Sequence, residues 1–127
     1  MRTEPRQTVL DFLDAWVRGN IDELMAFFAP DAVYHNVPVP PVAGAPAIRQ
    51  AFLGFARLMD SIEIVNLHVA ADGPIVFTER IDRFRSKTVS LDLPVAGVFE
   101  VHDGKITAHR DYFDYRTWLD ATGIPLG

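Results

Sequence analysis

Three charged side chains stand at strand spacing in two strand-like runs: Arg80 and Asp82 within the stretch Ile75 to Arg85, and Asp111 within Lys105 to Phe113. Successive side chains of a strand alternate faces, so Arg80 and Asp82 project to one side with Val76, Thr78 and Phe84, while Phe77, Glu79 and Ile81 take the other. The same alternation groups Thr107, His109, Asp111 and Phe113. If both faces line one side of a sheet, a guanidinium meets two carboxylates inside an apolar body. The guanidinium lowers both carboxyl pKa values, while mutual repulsion and desolvation raise at least one. One acid protonated beside one ionised is the division of labour that acid–base catalysis uses. A structural ion network is the alternative for the same three residues.

A short strand-like run, Ala32 to Asn36, adds Tyr34 and Asn36, again two apart and on one face. A hydroxyl and an amide so placed can hold a water molecule beside Asp111. Taken singly, Tyr34 is also readable as a half-buried rim aromatic and Asn36 as a turn residue. Other chemistries lack their signatures: there is no phosphate-cradling glycine loop, no nucleophile-elbow serine and no histidine pair at metal-binding spacing. His35, His68, His102 and His109 are scattered, and neither a metal nor an organic cofactor is expected.

The chain of 127 residues fits a single domain, 1–127, with one core and room for a small cavity. Hydrophobic residues make up 49%, with nine Phe, which argues against disorder. A net charge of −5 and scattered Lys and Arg give no footprint for nucleic acid. The absence of Cys excludes disulfides, thiolate nucleophiles and cysteine metal sites, and suits a cytoplasmic setting. The first residues lack the apolar core of a signal peptide, and no run reaches membrane-spanning length, so no membrane association is expected.

Thr3 with Glu4-Pro5 reads as a helix start, and Val9, Phe12, Leu13, Trp16 and Val17 repeat at helical spacing up to Gly19-Asn20. Asn20 and Glu23 form a capping-box pattern for a second short helix carrying Ile21, Leu24, Met25, Phe27 and Phe28, which Pro30 ends. The proline-rich run Val37 to Pro46 is expected as an extended loop, and Ile48, Phe52, Phe55 and Met59 mark a third helix. Strand patterns follow at Ile62 to Val69, Ile75 to Arg85, Val89 to Val101 and Lys105 to Phe113. Asp72-Gly73 and His102-Asp103-Gly104 supply hairpin turns, Ser86-Lys87 joins the middle pair, and Pro94 and Gly97 suggest a bulge or edge feature. A short C-terminal helix holds Trp118 and Leu119. The order predicts an α+β fold: a curved, mainly antiparallel sheet with three N-terminal helices on its concave side and one apolar pocket.

The stretches Tyr34-His35-Asn36-Val37-Pro38-Val39-Pro40-Pro41, Thr78-Glu79-Arg80-Ile81-Asp82, Gly97-Val98-Phe99, Gly104-Lys105-Ile106-Thr107 and Arg110-Asp111-Tyr112-Phe113-Asp114 resemble, in order, the limonene-1,2-epoxide hydrolase family. The resemblance implies the cone-shaped α+β fold shared with ketosteroid isomerase and polyketide-cyclase-like proteins, and a homodimer. It also implies that Asp111 activates water, Asp82 donates a proton, Arg80 bridges them, and Tyr34 and Asn36 position the water. The chain departs from the family in starting later, in carrying His35 in place of glutamine, and in its aromatics Phe55, Phe84 and Trp118.

On that basis the expected substrate is a small apolar epoxide, opened by water to a vicinal diol without a covalent intermediate. Met59, Phe84, Leu93, Val95, Phe113 and Trp118 are the candidates for an apolar, substrate-binding wall. Two other readings stand beside it. One is an isomerase like ketosteroid isomerase, which is itself a worked example of carboxylate tuning. The other is a non-catalytic small-ligand binding domain in which Arg80, Asp82 and Asp111 are structural.

Overall fold

The computed structural model describes residues 4–126. The expected Thr3 helix start lies outside them, and the first helix, α1 (Pro5–Arg18), begins after Glu4 with Pro5 in its first turn. Proline suits that position because the amide it lacks would have no intrahelical partner there. The helix ends at Gly19, whose φ of 74° puts it in the left-handed region. Its apolar stripe buries Val9, Phe12, Leu13 and Trp16, but Val17 falls off that stripe and is exposed. In α2 (Ile21–Met25), the Asn20 side chain accepts from the Glu23 amide at 3.0 Å, as the capping pattern predicts.

Helix α2 is shorter than its apolar run suggests. Phe28 already belongs to β1 (Phe28–Asn36), because the chain there pairs with the last strand: the Ile106 amide donates to the Phe27 carbonyl at 2.8 Å. Pairing across the sheet overrides local helical preference, and Pro30 sits in the irregular stretch where the register shifts between Phe28 and Val33. The proline-rich run is also less uniform than a loop. It contains the two-residue strand β2 (Val42–Ala43), and Pro46 occupies the first turn of α3 (Ala45–Leu58), where a missing amide costs nothing.

Four long strands follow: β3 (Ser61–Asp72), β4 (Ile75–Arg85), β5 (Ser90–His102) and β6 (Lys105–Tyr112). Gly73, and Asp103 with Gly104, have positive φ in the two tight turns, the second pair meeting the requirement of a primed hairpin turn. The six strands lie in the order β2-β1-β6-β5-β4-β3 and curl without closing. Every pairing is antiparallel except that of β1 with β6.

The helices cover the concave side, with α4 (Tyr115–Thr122) closing it at the C-terminal end. One apolar cluster centres on Phe12, Phe52 and Phe99, and a second on Phe84, Leu93 and Trp118. Among the described residues no helix is long and apolar enough to cross a membrane. The fold is thus the α+β arrangement that the order of elements predicts, with the cone shape that the family resemblance implies.

Two features of β5 and β6 differ from the sequence reading. Pairing of β4 with β5 runs unbroken from Ile75 opposite Glu100 to Arg85 opposite Ser90, so Gly97 makes no bulge. Pro94 lies where β5 has outrun β6, whose pairing begins at Ala96 opposite Tyr112. It therefore sits on a stretch with a single neighbouring strand, where proline is tolerated. The bulge is in β6: the register shifts so that Val101 faces Ile106 while Glu100 faces Ala108, leaving Thr107 as the extra residue. That shift breaks the expected alternation. Ile106 and His109 are both fully buried, and Thr107 is only half-buried, turned to donate to the Glu100 carbonyl.

Candidate active site

Strands β4, β5 and β6 bring Arg80, Asp82 and Asp111 together on the concave face, with relative exposures of 0%, 2% and 3%. Arg80 grips Asp82 with a fork: Nε donates to Oδ1 at 3.0 Å and Nη2 to Oδ2 at 2.9 Å. The same Nη2 lies 3.1 Å from Oδ1 of Asp111. Nη1 donates to the Thr78 hydroxyl at 3.0 Å, so each nitrogen of the guanidinium has a partner. A cation buried this deeply is tolerated because two carboxylates surround it.

The parallel pairing of β1 with β6 sets the other side of the site. Tyr34 lies opposite His109 and Asn36 opposite Asp111, and the Val37 amide donates to the Asp111 carbonyl at 2.9 Å. The Tyr34 hydroxyl donates to Oδ1 of Asn36 at 3.2 Å, which leaves the Asn36 amide nitrogen as a donor for another group. The five residues singled out for chemistry therefore share one site. His35 points elsewhere, its ring nitrogen 2.8 Å from the Val39 carbonyl.

The electrostatics separate the two acids. Burial pushes the Asp82 carboxyl up, and the nearby Asp111 charge adds to that; Arg80 opposes it without cancelling it. Burial also acts upward on Asp111, but the Arg80 charge together with the His109 ring outweighs it and holds the group at about 2. One guanidinium between two buried carboxylates leaves an excess negative charge unless one acid keeps its proton, and Asp82 is the one pushed to keep it. Tyr34 stays a neutral donor, since burial and then the Asp111 charge push its hydroxyl well above its ordinary range.

Asp82 and Asp111 open onto a cavity of about 20 Å³ walled by Phe84, Leu93, Val95, Phe113 and Trp118, with Trp16 and Leu126 added. That volume holds about one water molecule. Tyr34, Asn36, Phe55, Trp118 and Leu126 are shared with an adjoining apolar cavity of about 180 Å³, whose outer wall includes Val39, Leu58 and Ile124. Met59 does not join these walls. It caps the C-terminal end of α3 and lines a separate depression with Trp16, Phe52 and Ile62, although it packs in the same apolar cluster as Phe84 and Leu93. Helical spacing gave Met59 the right burial but could not show which side of the helix end it occupies.

Two residues with direct contacts to the charged cluster carry no role in the sequence reading. His109, fully buried, reaches Oδ1 of Asp111 through Nε2 at 3.0 Å, and Thr78 holds Nη1 of Arg80. The available signal was strand parity, since each lies two residues before a charged member of the cluster on the same strand. Among the described residues no group of His, Asp or Glu is arranged to hold a metal ion.

Residues 3–123 match the family model described as limonene-1,2-epoxide hydrolase catalytic domain. The chain is 36% identical over 105 residues to epoxide hydrolase EphG of Mycobacterium tuberculosis, covering 81% of this chain and 68% of that protein. A solved structure of an M. tuberculosis LEH-like epoxide hydrolase superposes with a TM-score of 0.84 at 31% identity, covering 95% of this chain and 90% of the other. A SnoaL-like polyketide cyclase structure from Shewanella putrefaciens CN-32 shares the fold alone, with a TM-score of 0.83 at 16% identity over 95% and 86% of the two chains. With the family model spanning nearly all of its length, the chain belongs to the limonene-1,2-epoxide hydrolase family and is an epoxide hydrolase.

Proposed function

We propose that this enzyme adds water directly to a small apolar epoxide, cyclic or terpene-like, giving a vicinal diol in one concerted step. Opening an epoxide near neutral pH requires proton removal from water and proton delivery to the departing alkoxide oxygen. Asp111, held ionised, takes a proton from a water positioned by Tyr34 and Asn36. Asp82, which keeps its proton, delivers it to the epoxide oxygen. Arg80 orients both carboxyl groups and stabilises the charge as it shifts from one to the other. No carboxylate attacks carbon, so no ester forms.

The observation that carries this reading is the opposed tuning of two buried aspartates around Arg80, beside a cavity of about 20 Å³ that suits one water. The adjoining cavity of about 180 Å³ is walled by hydrocarbon apart from Tyr34 and Asn36, which fits a substrate with one weak acceptor. An isomerase reading is not favoured, because carbon-base chemistry has no use for a guanidinium clamped between the two acids. A purely binding role leaves the separate tuning of the two carboxyls without a purpose.

We also assign a homodimer to the outward face of the sheet. Val65, Leu67, Phe77 and Tyr112 are exposed there beside Glu63, Arg83 and Asp92, an apolar strip edged by both signs of charge that suits a second copy of itself. Sedimentation at micromolar concentration checks this, with Phe77→Glu expected to give monomers.

The deciding experiment is a single turnover of limonene oxide and of cyclohexene oxide in heavy-oxygen water, with the diol analysed by mass spectrometry. Direct attack places solvent oxygen in the first diol formed. Unlabelled diol from the first turnover would show that a carboxylate oxygen attacked instead.

A further inference from the structure

Arg80 alone would assign the roles of the two aspartates the other way round. It gives Asp82 two hydrogen bonds at 3.0 and 2.9 Å and approaches Asp111 once, at 3.1 Å. A carboxylate held by a bidentate guanidinium is the better stabilised anion, so this geometry by itself favours Asp82 as the ionised partner. The compensating contact is His109 on the far side of Asp111, 3.0 Å from Oδ1 and fully buried.

We propose that His109 is a positioning residue that makes Asp111 the base of the pair, by donating a hydrogen bond from Nε2 to Oδ1 of Asp111. The inference rests on the epoxide-hydrolysis reading for its consequence, but its geometry stands apart from the substrate. A carboxylate oxygen only accepts, so the hydrogen between the two groups sits on Nε2. His109 Nδ1 is buried and has no hydrogen-bond partner, so a hydrogen placed there instead would strand a donor and leave Asp111 facing a bare nitrogen.

The ring is fixed in this pose by packing. It stacks on Phe99 with centroids 4.2 Å apart and meets the edge of Phe12 at 5.5 Å and the Tyr34 ring at 5.0 Å. The groups that face it from neighbouring elements are the Phe12 ring from α1, the phenol of Tyr34 from β1, Arg80 and Asp82 from β4 and the Phe99 ring from β5, with Asp111 on its own strand. Arg80 and His109 thus share one oxygen of Asp111 between two donors, and neither of those donors occupies Oδ2. That second oxygen is the one we assign to the reacting water.

The test pairs His109→Phe, which keeps an aromatic ring and loses the donor, with His109→Gln, which keeps an N–H. Aspartate carboxyl carbons are followed by NMR titration beside the pH profile of kcat/KM for cyclohexene oxide. In folded His109→Phe the Asp111 carboxyl should titrate about one pH unit or more higher, with kcat/KM at neutral pH down at least about tenfold; Gln should restore most of both. An unmoved Asp111 titration in folded His109→Phe overturns the proposal, as does Gln behaving like Phe. Should His109→Phe fail to fold, nitrogen NMR of the wild-type imidazole decides: hydrogen on Nε2 with bare Nδ1 supports it, and the reverse tautomer sinks it. If the wild type turns over no epoxide, the catalytic reading fails while the titration and tautomer still report on His109.

Discussion

Gly97 lies opposite both Thr78 and Asp111 in the sheet, and a Cβ on it would overlap Nη1 of Arg80. The same Cβ would stand 2.7 Å from the Thr78 hydroxyl and 3.0 Å from Oδ1 of Asp111. The guanidinium therefore rests on a bare stretch of backbone in β5, and the missing side chain makes room for the charge cluster.

Gly97→Ala should destabilise the protein by about 1–3 kcal/mol, the usual cost of overpacking. It should also lower kcat, because the groups that must yield are those that set Arg80 and Asp111. Thermal melts and steady-state kinetics on the same preparation check both. A variant with wild-type melting and activity would mean the clearance is incidental.

Asp111→Asn and Asp82→Asn should each lower kcat by about a hundredfold to ten-thousandfold while leaving the circular dichroism spectrum unchanged. Asparagine keeps the shape of the carboxyl group but can neither accept the proton of water nor deliver one to the epoxide oxygen. Most activity surviving in either variant contradicts the assignment.

Removing Arg80 leaves two buried acids without their cation. Arg80→Met should cost about 3–5 kcal/mol and abolish turnover. Replacing Arg80, Asp82 and Asp111 together with apolar residues of similar volume should recover much of that stability and none of the activity. Denaturant melts measure the first effect and diol formation the second; activity in the triple variant would return the cluster to a structural role.

The pH dependence follows from the opposed shifts. Asp111 stays ionised down to about 2, so kcat/KM should remain level toward acid until the protein unfolds. On the alkaline side the rate should fall as Asp82, raised above its ordinary 3.8, loses its proton. Stability carries the matching signs. A lowered folded-state pKa means that the contribution of Asp111 is present above 3.8 and is lost as pH falls from there through about 2. Asp82 acts in reverse, its contribution fading as pH rises above 3.8. A pH–rate profile beside urea melts separates the two effects, and an acid limb in the ordinary carboxylate range with no alkaline limb would contradict the opposed tuning of the two aspartates.

Strand parity made Arg80 and Asp82 legible as neighbours from the sequence, because side chains two apart on one strand must share a face. It could not show that β1 runs parallel to β6, the pairing that carries Asn36 to Asp111, since only long-range contacts set that order. A single extra residue, Thr107, defeated alternation in β6 while leaving His109 and Asp111 in phase. Gly97 read as a bend because glycine in a strand usually is one, and only the guanidinium packed over it reveals the other reason. A lone histidine in a strand, as at His109, has no signature until its partner is placed beside it.

Met59 and Leu93 test whether the cavity boundary has been drawn correctly. Both are buried, at 6% and 3% exposure, and both are apolar, so truncation of either should cost about 2–5 kcal/mol. They differ in what they face. Leu93 walls the cavity onto which both aspartates open, whereas Met59 lines the depression on the other side of Trp16. Leu93→Ala should therefore raise KM for a cyclic epoxide and alter which ring carbon water attacks, since the water and the reacting end of the substrate are held less firmly against the acids. Met59→Ala should lower the melting temperature by a similar amount with KM and regioselectivity unchanged. Chiral product analysis on both variants reads the difference directly, and a change in selectivity from Met59→Ala equal to that from Leu93→Ala would place Met59 back on the substrate wall.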